Sequence, residues 1–418
     1  MVSAPYTSNG GNVYIEMTPL SIGVKNMGEV DNKPKKIGSP FKRALDYARS
    51  LGKIDGIDLQ DLFKWLEITQ RHVGEAINKV FPSAFSLCFL GVADIVSAVN
   101  YCPREGLISL ILGEAGYYLK WIEGKRNTLR FCDDLSEEEK ALGDFLLFTL
   151  HDLTTNIIYL RYMDKKEAKK FLKQMAEWKR WIEANYGSDT ESGNRLDQFM
   201  KKIFEYQEPA EAFEACLKEE ERNFSPESGP SIEEEIRKTI ALASLIGDTE
   251  AELRGRIAEI KYAEKYPKII LYRLMGGRVI VGIPDGLASE FIYEHKSPKD
   301  KGNAKYALER ARLQTDIYSF LFYRPKKRIQ ISIDDSSIPD SERFLVVEED
   351  TNPERGRKAI LKVLDMINQF EHGIIPPEPP NKNRCKSCEY KGRCYSFLSE
   401  AMERRLNNSS RSQETLSF

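Results

Sequence analysis

The sequence contains no apolar run of eighteen residues, which is about the length that a membrane-spanning helix requires. Its first residues, MVSAPYTSNGGN, have neither the positive start nor the apolar stretch of a secretory signal peptide. Neither sign of charge is in excess, since 62 Lys and Arg stand against 64 Asp and Glu, so composition alone indicates no partner. We therefore expect a cytoplasmic protein without membrane contact.

Cysteine and histidine are both sparse, with seven and four residues among 418. An odd and scattered set of cysteines does not indicate a disulfide framework, and clustered cysteines in a cytoplasmic chain are more typical of metal binding. The chain is long enough, and at 41% hydrophobic residues apolar enough, to bury the cores of two or three domains.

The chemistry that the sequence predicts is concentrated in residues 275–318. Apolar runs predict strands over Val279–Ile283 and Ser289–Lys296. Glu294 and Lys296 are two residues apart and so project from one face of the second strand. Pairing of the two strands as a hairpin places Asp285 beside Glu294. Two neighbouring carboxylates need a cation between them, and oxygen ligands with open positions suit Mg²⁺ or Mn²⁺.

The residues after this pair point to a polyanion. Arg310, Gln314 and Tyr318 lie at four-residue spacing on a predicted helix over Ala304–Phe322, where they form one stripe. From residue 254 to residue 328 there are 17 Lys and Arg against 8 Asp and Glu, which suggests that a nucleic-acid backbone lies over the metal. The alternative interpretation is a surface hairpin with an ordinary ion pair between Glu294 and Lys296.

A second candidate site is the C-terminal cluster Cys385-x2-Cys388-x5-Cys394, which follows a Pro-rich connector. Three thiolates within ten residues can converge on one metal centre that needs a fourth ligand. Cys102 has the best context for that role, because it precedes Pro103 at a predicted helix junction, where we expect it to be exposed. Spacing alone leaves zinc and a [4Fe–4S] cluster open, since each accepts four thiolates. The alternative is a set of unconnected reduced thiols.

Taken together, the motifs resemble a known family. The sequence YCPR, Gly282-x2-Asp285, Glu294-x-Lys296, Gln314-x3-Tyr318 and the terminal cysteine triplet follow one another in the order of the RecB-type nucleases of the PD-(D/E)XK superfamily. Within that superfamily the chain most resembles the iron–sulfur CRISPR-associated exonucleases, the fourth Cas protein family.

The resemblance implies an α/β fold with a restriction-endonuclease-like core, in which helices flank a mixed sheet, together with a large all-helical insertion and an iron–sulfur subdomain. The segments expected on this basis are an N-terminal arm with helices, a helical segment with the first cluster ligand, the helical insertion, the nuclease core, the cluster segment and a disordered tail. Their bounds are 1–91, 92–132, 133–248, 249–375, 376–405 and 406–418.

The resemblance also implies the roles of individual residues. It makes Asp285, Glu294, Lys296, Gln314 and Tyr318 catalytic, and it makes Cys102, Cys385, Cys388 and Cys394 ligands of a [4Fe–4S] cluster. The Mg²⁺ or Mn²⁺ ligands are Asp285, Glu294, Glu259 and the backbone carbonyl near His295. The sequence departs from the family pattern at Glu259, which occupies the position of a usual histidine ligand.

The function implied is cleavage of DNA, with single-stranded ends preferred. The CRISPR integrase complex, or another DNA-processing protein, is the expected protein partner. Two alternatives stay open from the sequence: a RecB-like nuclease of recombination, replication or a mobile element, and a non-catalytic DNA-binding scaffold with a structural metal site.

Overall fold

A computed structural model of the 418-residue chain describes 14 stretches. They are residues 58–59, 61–62, 64–65, 68, 87–148, 164–186, 198–199, 201–204, 210–225, 231–246, 250–333, 337–379, 382–386 and 388–403. Most of the expected N-terminal arm with helices (1–91) and the expected tail (406–418) lie outside these residues.

Seven strands and ten α-helices follow in the described part of the chain. In order they are β1 (Phe89–Gly91), α1 (Val92–Asn100), α2 (Pro103–Leu129), α3 (Glu137–Phe148), α4 (Lys165–Tyr186), α5 (Ala210–Asn223), α6 (Ile232–Ile246), α7 (Glu250–Tyr262), β2 (Leu271–Met275), β3 (Arg278–Gly282), β4 (Gly286–Leu287), β5 (Phe291–Lys296), α8 (Lys301–Leu321), β6 (Lys326–Ser332), α9 (Asp340–Arg343), β7 (Phe344–Asp350) and α10 (Pro353–Glu371). None of these helices is both long and apolar enough to cross a membrane.

The strands form two mixed sheets. In the first, the order is β1-β3-β2, with β1 parallel and β2 antiparallel to β3. In the second, the order is β4-β5-β6-β7, and only β5 and β6 are parallel. The chain crosses from one sheet to the other between β3 and β4, so the three residues between Gly282 and Gly286 connect both sheets. The prediction of an α/β fold with a mixed sheet is confirmed.

One strand pairing differs from the sequence prediction. The strand at Val279 does not form a hairpin with the strand at Glu294, because β3 pairs instead with β1 and β2. The hairpin partner of β5 is the two-residue strand β4. Val279, Ile280 and Val281 are almost fully buried, as is typical of a strand in the centre of a sheet that is covered on both faces.

Three of the helices before β2 belong to the same hydrophobic core as the first sheet. Leu146 in α3, Phe213 in α5 and Ile122 in α2 join Ile280 of β3 in one buried cluster. All described residues in secondary structure between 133 and 248 are helical. Helices α2, α3 and α5 therefore pack against the sheet, and the helical insertion as a separate unit stays a prediction.

Helix α8 is held in place by a cap and by a close approach to α10. It begins three residues before the predicted start, because the Asp300 side chain accepts a hydrogen bond from the Asn303 N–H and caps the first turn. At the crossing with α10, a Cβ on Gly356 would lie 2.3 Å from the Asp316 carbonyl oxygen. Only glycine lets the two helix backbones approach so closely.

Candidate active site

The two carboxylates of the predicted metal site lie together where β4 and β5 pair. Gly286 pairs with Tyr293, so the antiparallel register continued by one residue sets Asp285 opposite Glu294. The Asp285 Oδ2 accepts a hydrogen bond of 2.8 Å from the His295 N–H. This bond fixes the Asp285 carboxylate at the end of the hydrogen-bonded pairing between β4 and β5. Its donor, His295, is the residue next to Glu294 on β5.

Glu294 is fully buried, and only one of its two carboxylate oxygens accepts a hydrogen bond from the described residues. Its Oε1 accepts a hydrogen bond from the Lys296 Nζ, whereas its Oε2 has no hydrogen-bond partner in the described part of the chain. Burial, with repulsion from Asp285, raises the pKa of Glu294 to about 8. A buried carboxylate oxygen without a partner is costly, and a bound cation would remove that cost.

Lys296 completes the group from the same face of β5, as the two-residue spacing predicts. Burial lowers its pKa, but attraction from Glu294 and Asp285 outweighs that effect and the pKa is raised overall. Lys296 therefore stays a cation beside the two acids. It places one positive charge beside the Glu294 carboxylate.

Gln314 and Tyr318 reach this site from α8. Both are buried, and the Tyr318 hydroxyl donates a hydrogen bond of 2.8 Å to the Ile283 carbonyl oxygen, in the segment that joins the two sheets. Burial raises the pKa of Tyr318 well above its ordinary value, and the neighbouring Glu294 adds to this. Tyr318 thus stays protonated and serves as a hydrogen-bond donor.

Two of the predicted metal ligands have other partners. Glu259 lies on α7 and pairs with Lys268, with 3.0 Å between Glu259 Oε1 and Lys268 Nζ. The ring of His295 is buried and contacts Ser332 Oγ at 3.0 Å, so it lies on the opposite face of β5 from Glu294, as predicted. Metal binding by Glu259 and by the His295 carbonyl oxygen stays a prediction.

Glu264, the other acid upstream of the site, takes part in an ion-pair network. Arg328 donates to both of its carboxylate oxygens, and the Tyr266 hydroxyl donates to one of them. These contacts account for the lowered pKa of Glu264, with Arg328 as the main cause. Within the described residues, no three His, Cys, Asp or Glu side chains are grouped so that they could hold a metal ion.

Three of the four cysteines predicted to share a cofactor, Cys102, Cys385 and Cys388, interact electrostatically with one another, although Cys102 is far from the other two in sequence. Cys102 is the residue before the first turn of α2, and its thiol is close enough to Cys385 for the two to interact electrostatically. Cys388 Sγ lies 3.9 Å from Glu105 Oε2, in the same turn of α2. Cys102 is buried, so the expectation that it would be exposed is wrong: the C-terminal segment packs over the helix start.

Arg104 joins these two parts of the chain. Its Nε donates a hydrogen bond of 2.8 Å to the Pro376 carbonyl oxygen, and its guanidinium lies over the Tyr395 ring. A salt bridge of 3.4 Å to Glu378 adds to this contact. The structure therefore brings Cys102 to the terminal cysteines, whereas it does not show a closed set of four thiolates.

Sequence comparison identifies the family. A family model described as the PD-(D/E)XK nuclease superfamily matches residues 154–395, which is more than half of the chain. No curated protein matches the chain.

Two solved structures are similar to parts of the chain. The crystal structure of SSO0001 has 16% sequence identity and a TM-score of 0.27, over 43% of this chain and 93% of that one. The crystal structure of an alkaline exonuclease (LHK-Exo) from Laribacter hongkongensis has 12% identity and a TM-score of 0.23, over 32% of this chain and 81% of that one.

Proposed function

Because this chain belongs to the PD-(D/E)XK nuclease superfamily, we propose that it is a metal-dependent deoxyribonuclease whose active site is formed by Asp285, Glu294 and Lys296. The observation that carries the proposal is the fully buried Glu294, whose Oε2 is without a hydrogen-bond partner in the described part of the chain. Asp285 opposes it, and a lysine lies beside it. A pair of acids in this state favours a divalent cation.

The carboxylates of Asp285 and Glu294 would hold Mg²⁺ or Mn²⁺, with Glu259 as a further ligand. When bound, such an ion supplies Lewis acidity to a phosphoryl oxygen and to the attacking water. The Lys296 ammonium stabilises the negative charge that develops on the scissile phosphate. The Tyr318 hydroxyl, fixed on the Ile283 carbonyl oxygen, holds the segment that carries Asp285 in place.

The substrate that we propose is DNA with single-stranded ends, and the proposed biological step is the trimming of such ends during CRISPR adaptation alongside the integrase. The motif order described above supports this choice. A RecB-like nuclease of recombination, replication or a mobile element is the alternative on the same fold. The CRISPR nuclease and the RecB-like alternative would differ in their protein partners and not in the chemistry of the active site.

We expect the purified chain to cut an end-labelled DNA single strand when Mn²⁺ or Mg²⁺ is present, and to stop when the metal is removed by a chelator. The reason is that, in the proposed mechanism, the ion held by the two acids supplies the Lewis acidity that activates the attacking water. Gel analysis of the labelled products measures the reaction. Cleavage that continues in excess chelator contradicts the metal-dependent site, and absence of cleavage with either metal favours the non-catalytic scaffold.

We also propose that Cys102, Cys385, Cys388 and Cys394 hold a [4Fe–4S] cluster. The donor set suits it, since a cluster takes four thiolates. Two features of α2 support this choice. Burial raises the pKa of Cys102 overall, but the backbone N–H groups of Glu105 and Arg104 in the first turn point at its thiol and oppose that rise, and Arg104 holds the C-terminal segment nearby. A cluster would link α2 to the end of the chain.

The expected result for Cys102→Ser is loss of iron and of acid-labile sulfide, measured by chemical analysis of anaerobically purified protein. Cys132→Ser is the matched control. Cys132 is also buried near an end of α2, but its thiol donates to the Thr128 carbonyl oxygen, which a serine hydroxyl can also do. Zinc in the wild-type protein, or full iron content in Cys102→Ser, contradicts the assignment.

A further inference from the structure

We propose that Tyr306 stacks against an unpaired base of the DNA strand that enters the active site, and so forms a nucleotide subsite outside the metal centre. The proposal rests on the nuclease function proposed above, which it deepens by naming how the strand is held. Four observations support it: the position of Tyr306 on α8, the packing of α1 along α8, the exposure of the ring, and the charges around it.

Tyr306 lies at the outer end of a ridge, a row of four side chains along α8 that leads to the Asp285 and Glu294 carboxylates. Tyr306, Arg310, Gln314 and Tyr318 follow at four-residue spacing on α8, and residues so spaced are neighbours on a helix surface. At 1.5 Å per residue, the ridge is about 18 Å long. Its inner members, Gln314 and Tyr318, are buried beside Glu294, whereas Arg310 and Tyr306 are exposed.

Helix α1 runs alongside this ridge in the opposite direction. Val92, at its start, lies against Gly282, which Tyr318 also contacts, and Ser97 accepts a hydrogen bond of 3.1 Å from Arg310. Continued by one turn, this alignment sets Tyr306 on the side of Arg310 that faces away from Tyr318, near the level of the end of α1. We infer that a strand bound at the metal site passes over the ring as it leaves.

The Tyr306 side chain is 62% exposed, and within the described part of the chain it makes no hydrogen bond and no contact with another aromatic ring. Both faces of its ring are therefore free of an aromatic partner among these residues. Single-stranded nucleic acids are bound by such rings, because every base has a face that can stack, and by cations that follow the backbone.

The charges around Tyr306 favour DNA as that partner. Residues 296–312 include six Lys and Arg and two acids. Both acids are engaged, since Asp300 caps α8 and Glu309 pairs with Arg312. Lys299 and Lys305 are exposed, and no ion pair engages them in the described residues. An exposed aromatic ring near the start of α8, preceded in the chain by two exposed lysines outside any ion pair of the described residues, suits a base and the phosphates that flank it.

The test measures DNA binding without cleavage, by fluorescence anisotropy of a labelled single strand in Ca²⁺. We expect Tyr306→Ala to bind the single strand about tenfold more weakly, as loss of one stacked base predicts. Tyr306→Phe is expected to bind like the wild type, because the ring is kept. Binding of the same strand annealed to its complement should change less, since its bases are already stacked in the duplex.

Tyr323→Ala is the matched control, because Tyr323 is 63% exposed and follows the opposite end of α8. Its affinity for the single strand should equal that of the wild type. Three results would overturn the proposal: unchanged single-strand affinity in Tyr306→Ala, an equal loss in Tyr323→Ala, or an equal loss for the duplex.

The same measurements separate this proposal from the nuclease assignment. A protein that binds through Tyr306 but cuts no DNA with Mn²⁺ or Mg²⁺ supports the subsite and contradicts the enzyme. A protein that cuts DNA while Tyr306→Ala binds as well as the wild type supports the enzyme and contradicts the subsite. A second readout is a fluorescent adenine analogue in the strand, whose quenching by the bound protein should be lost in Tyr306→Ala and kept in Tyr306→Phe.

Discussion

Asp285→Asn is expected to lower the rate of DNA cleavage by roughly a hundredfold to a thousandfold, the usual cost of removing one element of preorganised electrostatic stabilisation. The amide oxygen of asparagine can still accept the hydrogen bond from the His295 N–H, so the local backbone is kept. What the substitution removes is one negative charge opposite Glu294. The divalent cation then has one carboxylate at this position in place of two.

The same variant should be at least as stable as the wild type when no metal is present. Repulsion from Asp285 contributes to the raised pKa of Glu294, and the neutral amide removes that repulsion. Added Mn²⁺ should raise the melting temperature of the wild type, because a ligand that binds only the folded state stabilises it. Asp285→Asn should show little or none of this increase.

Cleavage rates and thermal unfolding with and without Mn²⁺ measure both effects on one preparation. Glu290→Gln is the control, because Glu290 is an exposed acid just before β5 and its loss leaves the Asp285–Glu294 pair intact. If Asp285→Asn cuts DNA as fast as the wild type, the assigned pair of carboxylates is wrong. If Asp285→Asn is inactive because it is unfolded, the cleavage rate of Lys296→Ala tests the assignment instead. That variant keeps both acids and is also expected to cut DNA much more slowly than the wild type.

Asp316→Ala is expected to lower the free energy of unfolding by about 3–5 kcal/mol, the usual cost of removing one partner of a buried ion pair. Asp316 is fully buried on α8, and its Oδ1 accepts hydrogen bonds of 2.8 Å from the Lys327 Nζ and from the Asn352 N–H. Alanine leaves Lys327 buried, with Glu349 at 3.4 Å as its remaining ion-pair partner. It also removes the acceptor for the residue that caps α10.

Urea denaturation measures this loss. Asp350→Ala is the control, because Asp350 pairs with Lys326, the residue before Lys327, but on the surface. That variant should unfold like the wild type, since an exposed ion pair contributes little. Asp316→Leu combined with Lys327→Met should recover much of the stability, because an apolar pair of similar size removes the buried charges. Equal unfolding of Asp316→Ala and the wild type would contradict a stabilising role.

The sequence predicted the placement of the candidate residues where the signal was local. The two-residue spacing of Glu294 and Lys296 placed both on one face of β5, because side chains alternate along a strand. The eight residues between Asp285 and Glu294 are enough for a tight reversal, so the two acids came together although the pairing strand was β4 and not the longer strand before it. Local spacing does not depend on the rest of the fold.

Features that depend on long-range packing were missed. Nothing near Phe89 indicates that β1 pairs in parallel with β3, which lies far along the chain, because such a pairing leaves no local pattern. For the same reason the burial of Cys102 and the contact of Ser97 with Arg310 were not predicted. Tyr306 was also missed, although its four-residue spacing before Arg310 was a signal that the sequence offered.

The amino-acid sequence alone thus determined which face of β5 and of α8 each candidate residue occupies, and the superfamily to which the chain belongs. Tertiary structure decided how those elements meet: α1 runs along α8, Glu294 is sealed from water with one unpartnered oxygen among the described residues, and Glu259 pairs with Lys268. The physical reason is that periodicity is set by neighbours in the chain. Burial and charge pairing are set by residues that become neighbours only on folding.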